Sequence, residues 1–180
     1  KMDIDGASTE IPELVGRALT DVPFVLPNDD DLTYCLIDLD AGSLQFLLEN
    51  IDKFEDPMAR TLCWSTAWEM TRAGTMRARD FVALVARGAE AETELAVLER
   101  ILSQAATAQN TYADPEWAKE DTQLARALLN GAHTDDAERS IVFTQALAGI
   151  ALDDASRTFF QDLLQTCIRG GLEEVLEEGA

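Results

Sequence analysis
Two aspartate–proline pairs, Asp56-Pro57 and Asp114-Pro115, each stand just upstream of apolar residues that recur every three or four positions. Proline has no N–H to donate. It therefore fits the first helical position, where that N–H would have no acceptor, and an aspartate before it caps the next N–H groups of the chain. Both pairs read as helix starts, and the same punctuation governs nearly everything after Asp40.

Seven helices are expected in that stretch. The first places Leu44, Leu47, Leu48 and Ile51 on one face, with Ser43 as its cap. The second opens at Asp56-Pro57, buries Met58, Leu62 and Trp68, and stops at Gly74. A third runs from about Arg77 to Arg87, with Phe81, Leu84 and Val85 inward and Gly88 as the stop. The fourth, Thr93 to Tyr112, carries a stripe of Leu95, Leu98, Ile101, Leu102, Ala105 and Tyr112. From Asp114-Pro115 a fifth continues through Leu124 and Leu128 to Gly131. Asp135, with Glu138 three residues on, has capping-box spacing and opens a sixth whose core face holds Ile141, Ala146, Leu147 and Ile150. The seventh carries Phe159, Phe160, Leu163, Leu164 and Ile168 and stops at Gly170-Gly171, leaving a short acidic helix or frayed end from Leu172 to Glu178. Pair starts near Pro57, Thr93 and Asp136 are 36 and 43 residues apart. That spacing suits stacked αα-hairpins, whose repeats run to about 40 residues.

Residues 1–40 read differently. Pro12, Pro23 and Pro27 prevent a continuous helix, and Met2–Asp5, Pro23–Leu26 and Thr33–Leu39 have strand-type composition separated by polar turns. So few strands do not make a sheet alone. The expected fold is mainly α, an αα-hairpin superhelix of the HEAT/ARM kind over residues 41–180, with a few short β-strands over residues 1–40.

Charge narrows function. Fourteen Lys and Arg oppose 34 Asp and Glu, a net charge of −20. Nucleic-acid binding requires clustered cations to displace counterions, and no basic run exists here. The same charge disfavours anionic membranes, and no apolar run approaches the ~20 residues that span a bilayer. Neither nucleic acid nor a membrane is expected as a partner. Cys35, Cys63 and Cys167 are isolated and show no CxxC spacing, which suits reduced thiols in the cytoplasm.

No complete active site is visible. His133 is the one histidine, so no HExxH zinc motif exists in these residues. No G-x-S-x-G elbow supports a triad around it, and neither GxxxxGK nor GxGxxG occurs. With Gly6 set at the sixth position of an EF-hand loop, Lys1 and Pro12 fall on ligand positions and fail. Asp29-Asp30-Asp31 reads as a solvated turn, Glu173, Glu174, Glu177 and Glu178 as a solvated helix face, and Trp64 and Trp68, four apart, as core. Trp117, just after Pro115, is expected to pack against the preceding helix.

Three segments in order carry a family resemblance. The stretch Leu26 to Asp40, with Asn28, Tyr34 and Asp40 at matching places, resembles the junction between the small β-sandwich and the C-terminal helical domain of gluzincin aminopeptidases of the aminopeptidase N type. Phe54 to Met70, with Arg60, Ala67 and Trp68 in register, resembles the helix that opens that domain, and Ala78 to Val85 is similar to the family's next helix. The wording is nearest to actinobacterial members, over about residues 1 to 130. It departs at Leu36, where many members carry a basic residue, and at Thr66, where many carry an acidic one.

The resemblance implies a parent zinc aminopeptidase that removes amino-terminal residues from peptides. Its HExxH and glycine-rich motifs belong to an upstream domain and have no counterpart here. No catalytic, cofactor-binding or metal-ligating residue is therefore assigned in this chain. Zinc belongs to the parent. The implied partners are the catalytic domain of the same polypeptide and the parent's peptide substrates, with the helices walling and closing the substrate chamber. Such a superhelix would end incomplete, with apolar surface exposed near its C-terminal end. The residues also leave open a free-standing helical scaffold that binds a protein or peptide, and an independent enzyme.

Overall fold
The computed structural model describes residues 6–18, 21–150 and 153–178, with side chains to residue 169. Eight α-helices follow one another among them: α1 Ala41–Asn50, α2 Pro57–Ala73, α3 Ala78–Gly88, α4 Leu95–Thr107, α5 Pro115–Glu120, α6 Gln123–Ala132, α7 Ala137–Ala148 and α8 Asp154–Glu178. They stack in two layers. In one, α3 lies between α1 and α6; in the other, α4 lies between α2 and α7. Contacts of α2 with α3, α3 with α4, and α6 with α7 join the layers. This is the mainly-α superhelical stacking of helix pairs.

Helices of 10 to 17 residues are marginal alone in water, so burial decides the fold. Leu47, Ile51, Trp64, Phe81, Leu98, Leu128 and Phe143 are among the large side chains with almost no exposed surface. Each stabilises the stack by roughly 1.5–3 kcal/mol relative to leaving it in water.

Local chemistry sets the boundaries, sometimes by residues other than those expected. Asp40, not Ser43, caps α1: one carboxylate oxygen accepts from the Gly42 and Ser43 N–H groups, and the other accepts from the Ser43 hydroxyl at 2.6 Å. Those Ser43 bonds hold the Asp40 carboxyl below the usual carboxylate range. Asp56 and Asp114 cap α2 and α5 as expected, and Gly74 ends α2 at φ 77°. Asp136, one residue beyond Asp135, caps α7.

Gly88 is the last residue of α3 and Gly131 lies one residue before the end of α6, so both helices end about where expected. Both glycines are also packing residues. A Cβ on Gly88 would sit 2.7 Å from Ile51 and Trp64, and one on Gly131 2.4 Å from the Phe143 ring. The expected fifth helix is two, because the chain turns at Asp121-Thr122. The end of α4 widens into a π-turn at Ala108–Tyr112, closed by Ala113 N–H to Ala108 O at 2.9 Å. In α8 the backbone continues through Gly170-Gly171, since glycine costs a helix about 1 kcal/mol per residue but removes no hydrogen bond.

Two core faces are rotated from expectation. Cys63, Trp64, Ala67 and Met70 point inward on α2, while Met58 is exposed; on α7 Val142 and Phe143 join the expected Leu147 and Ile150 in the core, and Ile141 is exposed. In each case the adjacent helix meets the stripe about one residue from where apolar spacing alone centres it. Leu163, Leu164 and Ile168 of α8 are exposed.

Among the described residues no strand forms. Pro23–Leu26 and Thr33–Leu39 run without a ladder partner, and Met2–Asp5 lie outside the described residues. A strand needs a neighbour to accept and donate its backbone bonds. The segment is instead fastened by side chains. Phe24 stacks on Phe46 at 5.6 Å and meets Phe54 edge-on at 5.2 Å, Val25 N–H donates to Ser43 Oγ, and Leu39 N–H points at Met70 Sδ. Leu32, Tyr34 and Leu36 face solvent.

Candidate functional site: a buried ionic junction and the clefts around it
The most elaborate polar arrangement centres on Glu92, in the turn between α3 and α4. Glu92 has no exposed surface and Arg60, from α2, only 4%. The Arg60 guanidinium meets the carboxylate with both Nε (3.1 Å) and Nη2 (3.2 Å), a two-point ion pair. Trp64 Nε1–H donates to the same carboxylate at 2.9 Å. The Thr93 and Glu94 N–H groups supply two more bonds, at 2.9 and 3.0 Å. Arg60 is satisfied in turn by the Phe54 carbonyl at 2.6 Å and the Thr93 hydroxyl at 3.0 Å. Burial pushes the Glu92 carboxyl up. The bonds from Arg60, the Glu94 N–H and Trp64 outweigh it and hold the group below its ordinary range. From the other side Arg139 of α7 donates to the carbonyls of Glu92, Glu90 and Ala89.

Chemically the junction is closed. Every donor aimed at the carboxylate comes from the protein, which suits a fixed strut and leaves no face for a substrate. Sequence reasoning places Arg60 in a familiar segment but finds none of its partners, because Glu92 lies 32 residues away and no local spacing marks it.

The residues singled out from sequence are dispersed. His133 donates from Nδ1 to the Leu129 carbonyl at 2.7 Å, and its ring lies 5.1 Å from Phe159. Asp29 to Asp31 form a tight turn stitched by Asn28, whose side chain bonds Asp31 Oδ1 and both backbone groups of Thr33. Trp64 is buried in the core at the junction, as expected, while Trp68 is half-buried and packs against Phe81 and Tyr112 at 5.3 and 5.9 Å. Among the described residues, no group of three or more His, Cys, Asp or Glu is placed to hold a metal ion. A zinc site built on a histidine pair does not fit this chain, which has one imidazole.

Two of the clefts on the described surface adjoin residues named above. One of about 380 Å³ lies at the α2–α3 turn, walled by Arg77, Arg79, Tyr112 and Trp117. Its charge largely cancels, since Arg77 pairs with Asp80 at 2.7 Å and Asp114 lines the same wall. Another, of about 420 Å³, runs between α6 and α8 beside His133, Phe159 and Asp162. No helix among the described residues is long and apolar enough to cross a membrane.

The three cysteines are free, and their surroundings separate them. Cys63 is fully buried, and burial, aided by the charge of Asp29, pushes its thiol up to about 12. Because the thiolate is the reactive form, a maleimide should label Cys35 and Cys167 readily in the native protein. Cys63 should react only after denaturation. Three fast labels without denaturant, counted by mass spectrometry, would show the core open at α2.

Stacked helix pairs braced by a closed ionic strut define an α-superhelical domain. The chain belongs to the ERAP1-like C-terminal domain family, whose model matches residues 24–171. It is also 33% identical, over an alignment of 204 residues, to aminopeptidase N of Streptomyces lividans. That alignment covers 99% of this chain and 24% of the relative, so the chain spans about a quarter of that protein's length.

Proposed function
We propose that this chain serves as the non-catalytic helical wall of a zinc aminopeptidase that removes amino-terminal residues from peptides. The observation that carries the proposal is the alignment of almost the whole chain with a part of an aminopeptidase N, together with membership of a C-terminal domain family. In this reading the hydrolytic zinc is held by other residues of the same polypeptide. The present helices wall and close the peptide chamber, excluding water and limiting the length of peptide that enters. Residues 1–40 are proposed to complete a sheet with the preceding part of that polypeptide, which would pair the extended backbone around Tyr34 and cover Leu32 and Leu36. The cytoplasm is the proposed compartment, consistent with three unpaired thiols. A free-standing scaffold is not favoured, since the likeness runs through nearly the whole chain.

The test is to remove the matching region from the Streptomyces lividans protein and compare substrates. Loss of a chamber wall should impair cleavage of peptides of several residues at least about tenfold more than cleavage of a single aminoacyl amide, because remote contacts act on the reacting centre. Equal loss for both substrates, with the shortened protein still folded, would contradict the wall role.

A further inference from the structure
Arg60 and Arg139 sit on helices in different hairpins, yet both end on one turn. Arg60 of α2 holds the Glu92 side chain, while Arg139 of α7 holds the carbonyls of Ala89, Glu90 and Glu92. Arg139 is itself seated over the Phe143 ring at 5.8 Å, and Phe143 fills the space left by Gly131 on α6. On the near side, Trp64 bonds Glu92 and packs against Gly88 at the end of α3. A continuous series of contacts thus runs from α6 through Phe143, Arg139, the 89–94 turn and Glu92 to Arg60 and Trp64 of α2.

We propose that this turn is a latch which couples α2 to α7 across the α3–α4 pair that lies between them, so that the three open and close as one body. Stacked repeats normally feel only their nearest neighbours. Here two guanidinium groups, each with donors in a fixed fork, grip the same short turn from opposite sides. The hydrogen bonds of Arg139 go to backbone carbonyls, so its grip depends on the turn's conformation, and that conformation is held by the Glu92 carboxylate. Loosening either arginine should therefore be felt at the other. Arg139 is a positioning residue in this scheme and touches no substrate.

The experiment is hydrogen exchange on the full 180-residue chain, following amides of α2 and α7 separately, in Arg139→Lys and Arg139→Met. Lysine keeps the charge but loses the fork; methionine keeps only the stem. Exchange in α2 should rise roughly tenfold in Arg139→Met and by a smaller factor in Arg139→Lys, alongside the local rise in α7. The double variant Arg60→Lys/Arg139→Lys should exchange less than the product of the single effects, because the second loss acts on a turn already released. If Arg139→Met fails to fold, the lysine variants carry the same comparison. Faster exchange confined to residues 89–94 and α7, with α2 unchanged and the double effect multiplicative, would overturn the latch. Neither result depends on whether the parent protein is an aminopeptidase.

Discussion

Glu92→Ala is expected to lower the folding stability of this domain by about 3–5 kcal/mol, a large share of the roughly 5–15 kcal/mol typical of a folded chain. The loss does not come from the attraction of the ion pair alone, since removing two charges from water costs nearly as much as pairing them returns. It comes from the groups left behind. Arg60, 4% exposed, would keep a buried positive charge with no carboxylate, and the Trp64 N–H and two turn N–H groups would lose their acceptor. Glu92→Gln should cost less, because an amide oxygen still accepts some of these bonds. Urea unfolding measures both; a cost below about 1 kcal/mol for the alanine variant would mean that the junction relaxes or admits water. The pH dependence is set by the direction of the Glu92 shift. A carboxyl held below its unfolded range adds stability that is complete above that range and is lost as pH falls through the folded value. The wild-type chain should therefore lose stability with acid more steeply than Glu92→Gln, and parallel acid profiles would contradict the ion pair.

Gly131→Ala should destabilise the domain by about 1–3 kcal/mol although alanine is the better helix former by about 1 kcal/mol. The new methyl would lie 2.4–2.6 Å from three atoms of the Phe143 ring, closer than any carbon contact allows. Phe143 is 1% exposed and carries Arg139 over its face, so the ring has nowhere to retreat without releasing the α3–α4 turn. Gly149→Ala provides the control, since a Cβ there meets nothing nearer than 3.4 Å and φ is −87°. The pair Gly131→Ala/Phe143→Leu should recover part of the loss, as the smaller side chain makes room. A Gly131→Ala variant as stable as the parent would show that α6 and α7 can move apart freely.

The glycines also show how far the sequence can be read. Helix identity is legible because apolar spacing and Asp-Pro starts are local: a residue and its neighbour four positions on belong to the same turn. Gly74 reads as a stop and is one, because its positive φ serves the chain's own turn. Gly88 and Gly131 also stand at helix ends, but their missing side chains answer to Trp64 and Phe143, which only the packing brings near. The same limit hides the junction. Arg60 lies 32 residues from Glu92 and Arg139 lies 47, and nothing local pairs them. The strands expected near Pro23 and Thr33 depend on partners that these residues do not supply to one another. The reading of no HExxH zinc motif rests on a count of one histidine, which folding does not alter.

One measurement addresses that reading directly: zinc content and aminoacyl-amide hydrolysis of the purified 180-residue chain, before and after equilibration with zinc at neutral pH. A wall domain should retain no stoichiometric zinc after dialysis and show no hydrolysis above buffer. One tightly held zinc per chain, with hydrolysis that a chelator abolishes and zinc restores, would place a working centre inside these residues and contradict the assignment.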